Sequence, residues 1–282
     1  MYAATEGKYT LLILEDSDPL NPRRDYSNMG RMVCWHRKYD LGDQHDYADP
    51  IEFLQDMAMT FFKEKPEQVF EYIKAGRDSE ARLEYDGKHR RWRLMELCSF
   101  GGEGKWYEVA NYDQLMQNKH ISSDAYYDVI HAMSTHGLIS MLESIDGFVF
   151  LPLYLFDHSG ITMNTSGFSC PWDSGQVGWI FCTPDKLQAE YGEITPKTIQ
   201  QATEVLEAEV RIYDTYLRGE CYGYRLYLSG EEIDSCWGFL GGAEEMKADL
   251  RMNLPPEAAS LVDALEYTCE SEASYLLNHT VS

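Results

Sequence analysis

The sequence predicts an α+β fold, with a mixed or antiparallel sheet and several packed helices. Short runs rich in Val, Ile, Leu and aromatic residues fall early, in the middle and late in the chain, as strands do. Between them lie stretches with helical spacing, clearest in Ile199, Ala202, Leu206, Val210, Tyr213 and Leu217. Late in the chain, two strand-like runs flank Ser229-Gly230-Glu231-Glu232, a hairpin signal that favours antiparallel pairing. At 282 residues the chain makes one α+β domain, 1–282, or two intimately packed lobes of about 1–120 and 121–282.

In order, Lys8–Leu14 (KYTLLIL) is the first strand, and Glu15–Tyr26 is an acidic loop with Pro19 and Pro22. Met32–Trp35 is a short second strand running into His36 and Arg37. Asp49 is placed to cap a helix that begins at Pro50 and carries Ile51, Leu54, Ala58, Phe61 and Phe62 at helical spacing. The cluster Met57, Met59, Phe61 and Phe62 reads as core. Pro66–Ala75 is a second helix, stopped by Gly76. Arg82–Tyr107 mixes charge with strand pieces, and its Lys88–Arg93 portion, the only basic run, reads as a solvated turn or strand edge. Phe100–Lys105 lacks the spacing of a phosphate loop and reads as a hairpin loop. Ser122 or Ser123 opens a helix to about Thr135 that Gly137 ends. Phe148–Phe156 and Val177–Cys182 are buried strands. Pro184–Tyr191 is a short helix, and Thr195-Pro196 opens the long helix, which runs to about Arg218. Cys221–Leu228 and Ile233–Leu240 pair as strands, and acidic helices Ala243–Asn253 and Glu257–Leu277 finish the chain.

The stretch Leu151–Thr183 holds the strongest functional signal. Its two apolar runs flank a segment of polar side chains punctuated by Gly160, Gly167, Pro171, Gly175 and Gly178, which permit turns and close backbone approach. A polar, aromatic, glycine-rich loop or short hairpin at the ends of two core strands is a common layout for a ligand site.

Composition narrows the partners. The net charge is −23; residues 1–110 carry 16 Lys+Arg against 21 Asp+Glu, and residues 111–282 carry 8 against 26. Such a surface opposes direct contact with nucleic acid, whose phosphates require cations, and opposes anionic membranes. It suits a basic protein partner, including one that normally holds nucleic acid. No apolar run reaches 18 residues, so no membrane span is expected. The N-terminus lacks a basic-then-apolar leader, and the seven cysteines are widely spaced with no Cys-x-x-Cys pair. Reduced, mostly buried thiols in a cytoplasmic protein fit that pattern.

Candidate chemistries are thin. Asp157-His158-Ser159 invites a triad reading, but neighbours on a strand face opposite ways and no G-x-S-x-G elbow exists. Cys170 with His158 or His279 would need a positive setting that Pro171, Trp172 and Asp173 do not offer. His36, His158, Asp157, Asp173 and Cys34 lack local metal-ligand spacing. No catalytic residue, metal ligand or cofactor is therefore expected, and a metal- or thiol-dependent hydrolase stands as the enzymatic alternative. The remaining expectation is a site that binds without chemistry. Trp172, Trp35 and Trp237 would stack on a ring, and Arg37 would hold phosphate. His36, Asp157, His158, Ser159, Thr162, Asp173, Ser174 and Gln176 would hydrogen-bond around them.

The blocks MVCWHRKYDLGD (Met32–Asp43), LYLFDHSGITMNTSGFSCPWDSGQVGWIF (Leu153–Phe181), EAEVRIYDTYLRGECYGY (Glu207–Tyr224) and DSCWGF (Asp234–Phe239) resemble a family encoded by bacteriophages, prophages and plasmids. The resemblance carries no catalytic residues. It implies a counter-defence setting: sequestration of a small nucleotide-like immune signal. The alternative it implies is an acidic inhibitor docking on the nucleic-acid surface of a host defence nuclease. A homo-oligomer is expected in either case.

Overall fold

The structure, a computed structural model, describes residues 1–100, 103–117 and 120–279. Strands β1 (Tyr2–Glu6) and β2 (Tyr9–Glu15) form a hairpin turned at Gly7, and β3 is Arg31–Cys34. Helix α1 (Pro50–Phe61) is capped by the Asp49 side chain, which accepts from the Glu52 amide at 2.9 Å. Helix α2 (Pro66–Lys74) precedes β4 (Ala81–Asp86), β5 (Arg91–Phe100), β6 (Glu103–Tyr112), β7 (Met116–Gln117) and β8 (His120–Ile121). Ser122 and Ser134 cap α3 (Ser123–Ala132) and α4 (Thr135–Glu143). Strands β9 (Val149–Asp157), β10 (Ile161–Asn164) and β11 (Ser174–Cys182) lead to α5 (Pro184–Tyr191) and α6 (Pro196–Leu217). The hairpin β12 (Cys221–Leu228) and β13 (Glu231–Leu240) is followed by α7 (Ala243–Asn253), a 3₁₀ turn (Ala259–Ala264), β14 (Glu266–Tyr267) and α8 (Glu270–His279). Helices and antiparallel sheets thus make an α+β protein, as the sequence predicts.

The chain divides into two compact units. The first comprises residues 1–34, 151–180 and 203–282. Its five-stranded sheet runs β13-β12-β2-β1-β14, antiparallel throughout. Alternation along the strands sorts side chains to two faces. Ala4, Leu11, Ile13, Tyr224, Leu226 and Phe239 pack under α7 and the 3₁₀ turn, with Met246, Leu250, Leu261 and Val262. On the opposite face Ala3 and Leu12 meet Ala273, with Leu276 and Leu277 of α8 against them. A second sheet runs β10-β9-β11-β3. There β3 and β11 approach so closely that a Cβ on Gly178 would stand 1.9 Å from the Val33 carbonyl oxygen.

The loop before β3 is fastened to α6. Arg23 Nη1 donates to Glu209 Oε2 at 2.8 Å and its Nη2 to the Gly30 carbonyl at 2.7 Å. Glu209 Oε1 accepts the Met29 amide at 2.6 Å. Only 1% of the Arg23 side chain and 12% of the Glu209 side chain is exposed, and both charges are fully engaged.

The second unit comprises residues 35–150 and 181–202. Helices α1, α3 and α4 pack together, and α2 lies against α3 and β4. Phe53, Phe148, Phe150 and Phe181 form an aromatic core with ring centroids 5.6 to 6.5 Å apart. Strands β4-β5-β6 form an antiparallel sheet. Asp78, 7% exposed, accepts the Glu80 and Ala81 amides at 2.8 Å and the Ser134 hydroxyl at 3.0 Å, tying the entry of β4 to the cap of α4.

Two expectations need correcting. Gly137 does not end a helix. It lies in the first turn of α4, where a Cβ would come 1.8 Å from Asp78 Oδ2, so its small size serves packing. The break falls instead between Ala132 and Thr135, where Ser134 starts a new helix. The C-terminal stretch from Glu257 is not one helix: β14 interrupts it by pairing Tyr267 with Tyr2 at the edge of the five-stranded sheet. Strand β1 adds to the expected strands, and β10 folds on β9 as the expected short hairpin. Phe100–Lys105, expected as a hairpin loop, includes residues 101 and 102, which lie outside the described residues.

Candidate functional site

The polar segment between β9 and β11 is built on a short hairpin. β10 folds back on β9, pairing Ile161 with Asp157 and Asn164 with Tyr154. The turn at Ser159 and Gly160 needs positive φ at both, 59° and 150°, and the His158 amide closes it on the Gly160 carbonyl at 3.0 Å. Beyond β10, Asn164 Oδ1 accepts the amides of Ser166 and Gly167 at 3.1 and 2.7 Å, a side chain holding its own turn. Phe168 packs on Phe156 with ring centroids 5.6 Å apart. Asp214 on α6 accepts the Thr162 hydroxyl at 2.7 Å and the Met163 amide at 2.6 Å, anchoring β10. The segment is therefore ordered by hydrogen bonds at its base.

At its outer end five residues meet. The Asp157 amide donates to the Asp173 carbonyl at 2.8 Å. His158 Nδ1 stands 3.4 Å from Asp173 Oδ2, and Cys170 Sγ donates to the same oxygen at 3.7 Å. The Ser174 hydroxyl donates to the Cys170 carbonyl. The order across the cluster is thiol, carboxylate, imidazole. A thiol nucleophile needs the imidazole between it and the carboxylate, so this arrangement does not make a Cys-His-Asp relay. Nor does it make Asp157-His158-Ser159 a triad, since His158 turns to Asp173. His158 and Asp173 expose 66% and 40% of their side chains, and Trp172 is 92% exposed. Gln176 Nε2 donates to the Gly178 carbonyl at 3.3 Å.

The other expected residues lie elsewhere. Trp237 sits on β13, at the edge of the five-stranded sheet, with its ring laid over Gly223; a Cβ there would fall 2.1 Å from the indole. The Arg225 guanidinium stands 5.8 Å from that ring. His36 and Arg37 belong to the second unit, where His36 stacks on Tyr39 at 4.9 Å and Arg37 is exposed. Ser159 is exposed at its turn. The structure thus gathers Asp157, His158, Asp173 and Ser174, and sends Thr162 inward to Asp214. His279, considered as a base for Cys170, has a side chain outside the described residues.

Three members of the basic run, His89, Arg91 and Arg93, meet carboxylates within their own sheet. Arg91 stands 4.0 Å from Asp86 and 3.4 Å from Glu108; Arg93 stands 2.9 Å from Glu84 and 3.8 Å from Glu108. His89 hydrogen-bonds Asp86 at 2.7 Å and holds that carboxyl down at about 2. Among the described residues no three His, Cys, Asp or Glu side chains gather as a metal ion would need.

Three cavities of about 560, 360 and 560 Å³ lie in the second unit, beside Tyr112 and Asp128, beside Tyr72 and Arg77, and beside Met59 and Tyr126. No motif marked them in the sequence, because their lining comes from separate helices and strands. No helix among the described residues is long and apolar enough to cross a membrane. No protein-family model, curated protein or solved structure matches the chain.

Proposed function

We propose that this protein acts by docking, without chemistry of its own, on a cationic protein surface of the kind that ordinarily holds nucleic acid. In the mobile-element setting that the sequence resemblance implies, the partner is a host defence nuclease. The observation that carries this reading is Trp172, 92% exposed on an otherwise hydrogen-bonded segment. An indole so fully in water is a wall of no recess. It has the form of an anchor that a partner's pocket would receive, and Trp is the residue most enriched at such anchors. The charge around it agrees. From His120 to Asp185 the sequence contains no Lys or Arg, and the unit that carries Trp172 has 9 Lys+Arg against 23 Asp+Glu. A phosphate-bearing ligand meeting Asp157 and Asp173 there would face repulsion, whereas a basic surface would be attracted.

The capture of a small nucleotide-like signal is a second reading, with one observation in its favour: the free indole of Trp172 adjoins the His158–Asp173 pair, which offers stacking and hydrogen bonding together. One experiment separates the two. The purified full chain and its Trp172→Ala variant are incubated with bacterial lysate and recovered at increasing salt. Docking predicts a basic protein retained by the wild type, released steeply by salt and lost from the variant. A cyclic dinucleotide or cyclic ADP-ribose variant depleted from solution and recovered on denaturation favours the second reading. Retention that ignores both salt and Trp172 contradicts the first.

A further inference from the structure

We infer a second binding site, in the other unit, for a small amphiphile with an apolar body and an anionic head. The site is the cavity of about 560 Å³ between the end of α1 and the start of α3, within the size range of small-molecule pockets. Its lining is graded from apolar to polar. Tyr126 is buried, Met59, Pro66 and Ile121 are half-buried, and Thr60, Lys63 and Ser123 are exposed. Depth and polarity therefore run in opposite directions, which gives an apolar floor and a polar rim.

The floor is apolar because its one polar group is already used. The Tyr126 hydroxyl donates to the carbonyls of Ala58 at 3.1 Å and Met59 at 3.2 Å, at the C-terminal end of α1. That leaves the phenol ring for an occupant, and it satisfies backbone acceptors that would otherwise repel an anion. At the rim, Lys63 makes no ion pair among the described residues, unlike Arg91 and Arg93 in the nearby sheet of the same unit. Glu64, Glu67 and Asp124, close in sequence, do not line the cavity. On a chain of net charge −23, an unpaired lysine beside an apolar recess selects the sign of the head group locally, against the overall field.

The probe is 1-anilinonaphthalene-8-sulfonate, an aromatic body with a sulfonate, titrated into the full-length protein and followed by its fluorescence. A single saturable class is expected. Decanoate should displace it, and decyltrimethylammonium at the same concentration should not. Lys63→Ala should weaken the probe about five-fold, as loss of one exposed ion pair does, and Thr60→Trp, which fills the rim, should abolish the saturable signal. Both positions are exposed, so circular dichroism should show the variants folded. No saturable binding, displacement by the cation as readily as by the anion, or variants that bind as the wild type does would each overturn the assignment.

Discussion

At the scale of single residues, the structure separates groups that hold the fold from groups that face solvent. Gly178 belongs to the first kind. Because its missing side chain lets the Val33 carbonyl approach, Gly178→Ala forces backbone apart and should cost about 3 kcal/mol, measured as a drop in the urea midpoint. Trp172 and His158 belong to the second. Trp172→Ala and His158→Ala should each change stability by no more than about 0.5 kcal/mol, so lost binding in either variant reports on the contact itself. Cys221 supplies a pH signature. Burial, with help from Asp16 and Glu220, pushes its thiol up to about 11. An unfolded thiol ionises near about 8.5, so the unfolded state loses its proton first as pH rises. The stability from keeping Cys221 neutral is complete below that value and is lost as pH climbs toward about 11. The urea midpoint should fall between about pH 9 and 10, before the tyrosines join, and Cys221→Ala should make that fall shallower. Residue types were legible in the sequence, but their environments were not. The polar character of Asp157–Gln176 could be read directly, whereas the turn of His158 toward Asp173 depends on the β9–β10 hairpin.

At the scale of elements, caps and stripes were the readable part. Asp49-Pro50, Thr195-Pro196 and the six-residue stripe of α6 are local signals, and each marks a helix that is present. What failed was non-local. Gly137 looks like a stop signal until Asp78, distant in sequence, is found to need its space. The break at Glu266–Tyr267 depends on a free sheet edge at β1 that no local pattern reveals. Element-level stability should follow the same division. Removing Glu209 leaves Arg23 buried without its partner, so Glu209→Ala should destabilise by about 3–5 kcal/mol. Asp263→Ala, which breaks the exposed Arg251–Asp263 pair, should stay within about 0.5 kcal/mol. Urea denaturation of the two variants side by side checks both values.

At the scale of the whole molecule, the chain presents a strongly acidic polypeptide with an ordered, glycine-turned segment that carries an indole into water. Composition alone sets the expectation against direct nucleic-acid and anionic-membrane partners, since the charge opposes both. The polar, aromatic and glycine-rich composition that marks the expected ligand loop is equally that of a segment presented outward, and Trp172 on it is 92% exposed. The measurement that bears most directly on the docking account is photo-crosslinking from position 172. A benzophenone amino acid replaces Trp172 in the full chain, and a second protein carries it at Tyr267, also exposed, at 79%, as control. The account predicts crosslinks from position 172 into a cationic surface of one basic bacterial protein, diminished by salt, and none from position 267. Equal crosslinking from both positions, or none from 172 in a lysate where the partner is retained, would contradict it.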